Sequence, residues 1–165
     1  GIEELHNSNK MKKLLISIFV MLSCVVMAKA EETILPYEIY GAGTGAQGSY
    51  VVEVIVTSKK SNVSDTELVK SVIHGVLFKG FFNDELRQSQ KPLVTSSLAE
   101  QQHADFFKEF FAGSYKNYGQ ALSGSRRVTK VNKEYKIKMT VTVYKDQLRK
   151  DLEAVGVVSG LNTGF

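Results

Sequence analysis

The amino-acid sequence predicts an α+β fold, a small, mostly antiparallel sheet with two or three helices packed on one face. Two observations predict this class. Residues 134–144 alternate between apolar and polar side chains, as a strand with one buried face does. Two other segments begin with a helix-capping motif and continue with apolar residues at helical spacing. The inferred order of elements is strand, helix, helix, strand, strand, helix.

The first helix is predicted from the capping box Ser64-Asp65-Thr66-Glu67, in which a hydroxyl and a carboxylate satisfy two free backbone N–H groups. Gly80 is expected to end this helix, because glycine readily adopts the left-handed conformation that closes helices. Between these two points, one apolar stripe is formed by Leu68, Val69, Val72, Ile73, Val76 and Leu77.

A second helix is predicted from the box Ser97-Leu98-Ala99-Glu100 to Gly113. Its apolar face would consist of Ala99, Phe106, Phe107, Phe110 and Phe111. A third helix is predicted at about Lys145 to Ala154, with Leu148 and Leu152 facing inward.

Three strands are predicted. Ser49–Thr57 is rich in β-branched residues. Arg126–Val131 and Glu134–Tyr144 are expected to form a hairpin that turns at Asn132-Lys133. The first strand, or the strand Tyr135–Tyr144, could pair between copies of the chain if its edge were free.

The segment "GAGTGAQG" at residues 41–48 contains G-x-G-x-x-G, the pattern of dinucleotide-binding loops. That use requires a helix directly after the loop, so that its free N–H groups can bind pyrophosphate. A strand follows here instead. The sequence therefore favours a turn in which the glycines provide positive-φ positions, over a ligand-binding loop.

Residues 11–30 are interpreted as a secretory signal peptide, with basic Met11-Lys12-Lys13, an apolar stretch at 14–27 and the cleavage pattern Ala28-Lys29-Ala30. Residues 1–10 are interpreted as upstream or vector-derived residues. Residues 31–165 are then expected to form a single α+β domain in the periplasm or cell envelope, or as a secreted protein. No transmembrane span is expected after cleavage.

The only cysteine, Cys24, lies inside the predicted signal peptide. A lipoprotein anchored through Cys24 is the less favoured alternative, because Met21-Leu22-Ser23 matches a lipobox poorly. Otherwise the exported chain contains no thiol, which excludes disulfides, thiolate nucleophiles and cysteine-ligated zinc.

Charge is unevenly distributed. Residues 116–150 hold ten basic residues and only two acidic ones. Such asymmetry indicates a possible surface for an anionic partner, with Arg126, Arg127, Lys136 and Lys138 as candidates. The alternative is an ordinary solvated sheet face. Nucleic acid is not expected, because the strand lacks interleaved aromatic residues and export removes the opportunity.

His103 falls between Phe106 and Phe107 on the aromatic face of the second predicted helix. These three residues could line a ligand pocket, or His103 could be a hydrogen-bonded core histidine. His74 falls outside the apolar stripe of the first helix, next to Phe78, and is predicted to lie at the boundary between the buried and exposed faces of that helix. No metal site, cofactor or set of catalytic residues is indicated by the spacing of the residues.

Three stretches, "GAGTGAQGSYVVEV" (41–54), "VIHGVLFKGF" (72–81) and "HADFFKEFFAGSYKNY" (103–118), resemble small uncharacterised exported proteins of Bacteroidetes-type bacteria. The segment "YKIKMTVTVYKDQLRKDLEAVGV" (135–157) is similar to the strand-then-helix ending of LPP20/FlgT-type envelope domains. The resemblance implies export and an α+β fold, and it carries no functional residues.

The sequence therefore favours a non-enzymatic envelope or periplasmic protein that binds another envelope protein, an anionic lipid or a glycan. A small-molecule binder or hydrolase with a pocket around His103 is the second hypothesis. An oligomerising structural subunit of the envelope is the third.

Overall fold

A computed structural model describes residues 34–159, and the α+β class is confirmed. The predicted signal peptide and Cys24 lie outside the described residues. The strands are β1 (Tyr37–Gly41), β2 (Tyr50–Ser58), β3 (Phe81–Asn83), β4 (Gln88–Gln90), β5 (Gly119–Ala121), β6 (Arg127–Val131) and β7 (Glu134–Val143). The helices are α1 (Asp65–Phe78), α2 (Ala99–Gln102), α3 (Ala104–Ala112) and α4 (Lys145–Ala154), with a 3-10 helix at Ser114–Tyr118.

The sheet has seven strands, in the order β4-β3-β1-β2-β7. Both β5 and β6 pair with the far edge of β7, at opposite ends of that long strand. All pairs are antiparallel except β1–β3, which meet in parallel at Gly41 and Asn83. The sheet is therefore mostly antiparallel, as predicted, but larger than the three strands that the sequence indicates.

The core lies between one face of the sheet and α1. Alternate residues of β2 and β7 are buried on this face: Val52, Val54, Val56, Ile137, Met139, Val141 and Val143. The helix α1 contacts β1, β2, β5 and β7, and its predicted apolar stripe is buried throughout. The apolar residues that recur with a period of two in these strands, or with helical spacing in α1, are thus the ones that are buried.

The ends of α1 agree with their predictions. The Ser64 hydroxyl accepts a hydrogen bond from the Glu67 backbone N–H at 3.2 Å, and the Glu67 carboxylate accepts one from the Ser64 N–H at 2.6 Å. At the other end, Gly80 has φ +72° and its N–H donates to the Gly75 carbonyl at 2.8 Å. The α4 helix likewise occupies the predicted residues, with Leu148 and Leu152 buried.

The second predicted helix differs from the structure. It is divided into α2 and α3 by a break at His103, where φ is −114° and ψ is 31°. The predicted capping box is absent: α2 begins after Leu98 without a side-chain cap. The Ser96 hydroxyl instead accepts a hydrogen bond from the Leu98 N–H at 3.3 Å, a local turn of the kind that competes with helix capping.

The two strands that could have paired between copies are both internal. Strand β2 lies between β1 and β7, and β7 lies between β2 and the β5 and β6 strands. Each of these strands therefore has neighbouring strands on both sides over much of its length, and assembly of the protein into oligomers stays a prediction.

Candidate functional site

Strand β6, its turn and β7 as far as Lys138 form a hairpin that we call the basic hairpin (residues 127–138). Its register runs from Arg127 opposite Lys138 to Val131 opposite Glu134, which leaves the predicted two-residue turn. Asn132 has φ +58°, a left-handed conformation that asparagine tolerates better than most residues. The conformation of the turn and the alternation of buried and exposed side chains in β7 are local features of the sequence, and together they form the hairpin.

The basic hairpin concentrates the positive charge of the molecule. It holds five basic residues and one acidic residue, a net charge of +4. Residues 34–159 together contain 17 Lys and Arg and 13 Asp and Glu, also a net of +4, so the rest of the described chain is neutral overall. All five residues of β6 are exposed, and so are Lys133, Glu134, Lys136 and Lys138.

The structure separates the four residues predicted to meet an anionic partner. Arg126 forms an ion pair with Asp65 and donates to the Val63 carbonyl at 2.6 Å, so it ties the hairpin to the start of α1. Lys138 forms an ion pair with Glu53 on the neighbouring strand at 2.8 Å. Both charges are therefore partly compensated within the protein.

The other two predicted residues keep their charge available. Among the described residues, the acceptors of Arg127 are the backbone carbonyls of Gly124 at 2.7 Å and Arg126 at 2.8 Å. Lys136 makes no salt bridge with any described residue. Lys130, which the prediction did not include, lies 5.8 Å from the ring centre of Tyr135 and is exposed. The available charge therefore lies nearer the turn than predicted.

An open groove of about 680 Å³ lies at the turn end of the hairpin. Three lysines and one glutamate contribute to it, and its full lining is Thr57, Lys59, Val131, Asn132, Lys133, Glu134 and Lys136. The groove combines the end of β2 with the hairpin turn, two segments that are far apart in the sequence. Its excess of ammonium groups would attract an anionic group.

A second concavity, of about 220 Å³, lies under the glycine-rich loop 43–49. The loop connects β1 to β2, so a strand follows it as predicted, and Gly43 and Gly48 have φ of +107° and +80°. Asn83, which is almost completely buried, donates to the Gly43 carbonyl at 3.3 Å, and the Asp146 N–H donates to the Gly48 carbonyl at 3.0 Å. These contacts fix the loop at both ends.

The concavity under the glycine-rich loop, which we call the cleft, has polar and apolar walls. Phe81, Leu86 and Val51 are apolar, while the Tyr50 hydroxyl and Gln90 join in a hydrogen bond of 3.1 Å. The backbone N–H groups of residues 43–48 donate to no acceptor within residues 34–159. Gly43 and Gly48 provide the positive-φ positions that the sequence predicts for a turn, and the loop also borders this small cleft.

The structure pairs His74 with Tyr37, a contact that the sequence did not indicate. The Tyr37 hydroxyl lies 2.7 Å from His74 Nδ1, and the rings of Phe78 and Phe111 lie 5.0 Å and 5.7 Å from the imidazole. Burial in this aromatic setting lowers the pKa of His74 to about 4, and the nearby Lys79 ammonium adds to that effect. Nδ1 of the neutral ring accepts a hydrogen bond from the Tyr37 hydroxyl. Burial also raises the pKa of Tyr37.

This pair makes stability depend on pH between 6.5 and 4. Because the folded-state pKa of His74, about 4, is below its ordinary 6.5, the unfolded chain takes up a proton first as the pH falls. The stabilisation is complete above pH 6.5 and declines towards pH 4. Since His74 is only half-buried, we expect a loss of about 1 kcal/mol between pH 7 and pH 5, measured by urea unfolding at each pH.

His74→Asn is the control for this prediction, because its amide oxygen can replace Nδ1 as acceptor but does not titrate. The variant should lack the His74 part of the pH dependence whatever its stability at pH 7. An equal slope in both proteins would contradict the assignment.

The three residues of the predicted pocket lie in different settings. Phe107 is buried against Phe78, with ring centres 5.0 Å apart, and Phe106 is half-buried with its ring 5.2 Å from that of Phe107. His103 is partly exposed at the break between α2 and α3. It lines neither the cleft nor the groove described above. A ligand pocket at these residues stays a prediction.

Two further findings concern residues 34–159. No cluster of histidine and acidic side chains among them is placed to ligate a metal ion. None of their helices combines the length and the apolar character that crossing a bilayer requires.

The described fold and surfaces define an α+β protein with a basic sheet edge. Comparison of the chain with protein-family models, with curated proteins and with solved structures gives no match.

Proposed function

We propose that this protein is a non-enzymatic binding protein of the cell envelope or periplasm, and that the basic hairpin is its binding surface for an anionic partner. The partner classes to be tested are an acidic protein segment, an anionic lipid and an anionic glycan. The sequence pattern of residues 11–30 supports export.

One observation carries the proposal: the whole net charge of residues 34–159 is matched by the 12-residue hairpin 127–138 alone. Dissolved ions largely screen the interaction between exposed charges that are more than about 8 Å apart in physiological salt, so dispersed charges act weakly on one partner. Charges held on two adjacent strands act together on one partner. An anion would therefore meet its strongest attraction at this hairpin.

The test compares two triple variants with equal changes of charge. Lys130→Gln, Lys133→Gln and Lys136→Gln neutralise the hairpin. Lys91→Gln, Lys108→Gln and Lys150→Gln neutralise three other exposed lysines. Binding to anionic vesicles, an acidic polysaccharide and an acidic peptide is measured at low salt. We expect the hairpin variant to bind its anion at least about tenfold more weakly, while the control variant loses much less.

If the two triple variants lost equal affinity, the hairpin would be rejected as the binding surface. Binding would then depend only on the net charge of the protein. Binding of none of the three anions below ~1 mM would reject the proposed function.

A second candidate function, small-molecule binding, is favoured by the cleft under the glycine-rich loop rather than by His103. The cleft combines apolar walls with a buried amide and with backbone N–H groups that have no acceptor among residues 34–159, a mixture of apolar and polar groups that ligand sites also have. Backbone NMR spectra recorded during the same titrations, with small ligands added, distinguish the two. Shifts at residues 43–49 would favour the cleft, and shifts at residues 127–138 the hairpin.

A further inference from the structure

No strand among residues 34–159 pairs with the outer edge of β6. Within residues 34–159, β6 pairs with β7 alone, and all five of its residues are exposed. Two of them, Val128 and Val131, are apolar and each 44% exposed. An edge of this kind presents unpaired backbone donors and acceptors, together with an apolar contact surface, to any extended chain that approaches it.

The register shows which backbone groups point outward. In a hairpin with a two-residue turn, the residues that flank the turn exchange both ladder hydrogen bonds, and the next pair exchanges none. Val131 and Glu134 flank this turn, so Thr129 and Arg127 also bond to β7. The N–H and C=O groups of Val128 and Lys130 therefore point away from β7, toward the free edge.

The charge of the side chains along this edge determines which kind of segment can bind there. Arg127 and Lys130 lie on β6 itself, with Lys133 in the turn and Lys136 on the adjacent strand. A second copy pairing through the same edge would bring two hairpins of net charge +4 together, and like charges across a strand pair are destabilising. An acidic segment would meet the opposite charge instead. The charge that repels a second copy thus attracts an acidic strand.

We propose that the outer edge of β6 binds an extended acidic peptide segment as an additional strand of the sheet. The inference rests on the proposed function, because it specifies the partner of the same hairpin: an acidic protein segment rather than a lipid or a glycan. The five residues of β6 span about 17 Å, so about five residues of an extended segment pair along the edge, and a segment of about eight residues also extends past both ends. Main-chain hydrogen bonds hold the segment, and carboxylates at its alternate positions lie on the sheet face that carries Arg127 and Lys136.

The test uses a peptide of about eight residues that alternates glutamate with valine and threonine. It is titrated into the full chain and into two variants. Val128→Pro removes one outward N–H and leaves the bonds to β7 intact, because proline is tolerated at the solvent side of an edge strand. Val128→Ala is the matched control, since it shortens the same side chain but keeps the N–H.

We expect the unsubstituted protein and Val128→Ala to bind the peptide with similar affinity. Val128→Pro should bind it at least about tenfold more weakly. A second measurement does not depend on how the proline variant folds. The same peptide, N-methylated at alternate residues along one edge, keeps its charge but cannot complete the ladder, and it should bind the original protein at least about tenfold more weakly.

Other results separate the two proposals. If the methylated and unmethylated peptides bind equally, only charge is recognised; the strand-addition inference is then overturned while the proposed function stands. The same conclusion follows if anionic vesicles or the acidic polysaccharide shift the amides of residues 127–138 and the peptide does not. If no anion shifts these amides, both the inference and the proposed function are wrong.

Discussion

Gly80→Ala is expected to lower the free energy of unfolding by about 3 kcal/mol, from about 1–2 kcal/mol of left-handed strain and about 1–3 kcal/mol of overpacking. Gly80 has φ +72° at the end of α1. A Cβ there would overlap the Gln90 carbonyl oxygen and lie 3.0 Å from the Pro92 nitrogen. Both neighbours are backbone atoms, so neither can rotate away as a side chain could. Urea denaturation measures the loss.

Gly124→Ala is a matched control. Gly124 also has φ +72°, but apart from its two chain neighbours no described residue has a heavy atom within 4 Å of the position that its Cβ would occupy. This variant should lose only about 1–2 kcal/mol, the cost of the left-handed conformation itself. The difference between the losses of unfolding free energy in the two variants measures the cost of the steric overlap between the new Cβ at residue 80 and the segment from β4 to Pro92. Equal destabilisation of the two variants would show that this approach adds no strain.

Phe107→Ala is expected to lower the free energy of unfolding by about 3–5 kcal/mol, as is typical for removal of a buried phenylalanine ring. Phe107 is 5% exposed and lies among the rings of Phe78, Phe106, Phe110 and Phe111. Truncation would remove contacts with all four and leave a cavity. Thermal or urea unfolding of the full chain gives the value.

Phe106→Ala, at the neighbouring and half-buried position, should cost less, about 1–2 kcal/mol, because less apolar surface is returned to water. This comparison also tests the predicted pocket. If Phe107→Ala proved no more destabilising than Phe106→Ala, the two rings would line an open space rather than the core. A ligand pocket beside His103 would then gain support.

Much of the fold could be predicted where a local pattern determines it. The capping box at Ser64, the apolar stripe of α1, the alternation of β7 and the turn at Asn132 each involve residues within a few positions of one another. Capping hydrogen bonds and side-chain periodicity depend only on residues within that range, so these features can be predicted from the sequence alone.

Other elements could not be predicted because their stability comes from distant partners. Strands β3, β4 and β5 have only three residues each, too few for a period of two to be recognised. At Ser97 the capping motif is present, but Ser96 makes the competing turn and the helix breaks at His103. A short motif gives the possible local structures, and tertiary contacts decide among them.

The candidate sites show the same division. The sequence by itself determined the position of the positive charge, since the basic residues are adjacent along a strand and its hairpin partner. Only the tertiary structure decided which charges remain available: Asp65 compensates Arg126 from 61 residues away, and Glu53 compensates Lys138. It also brought Tyr37 to His74 and left the edge of β6 free of any partner among residues 34–159. Local periodicity sets where a side chain points, and long-range packing sets what it meets.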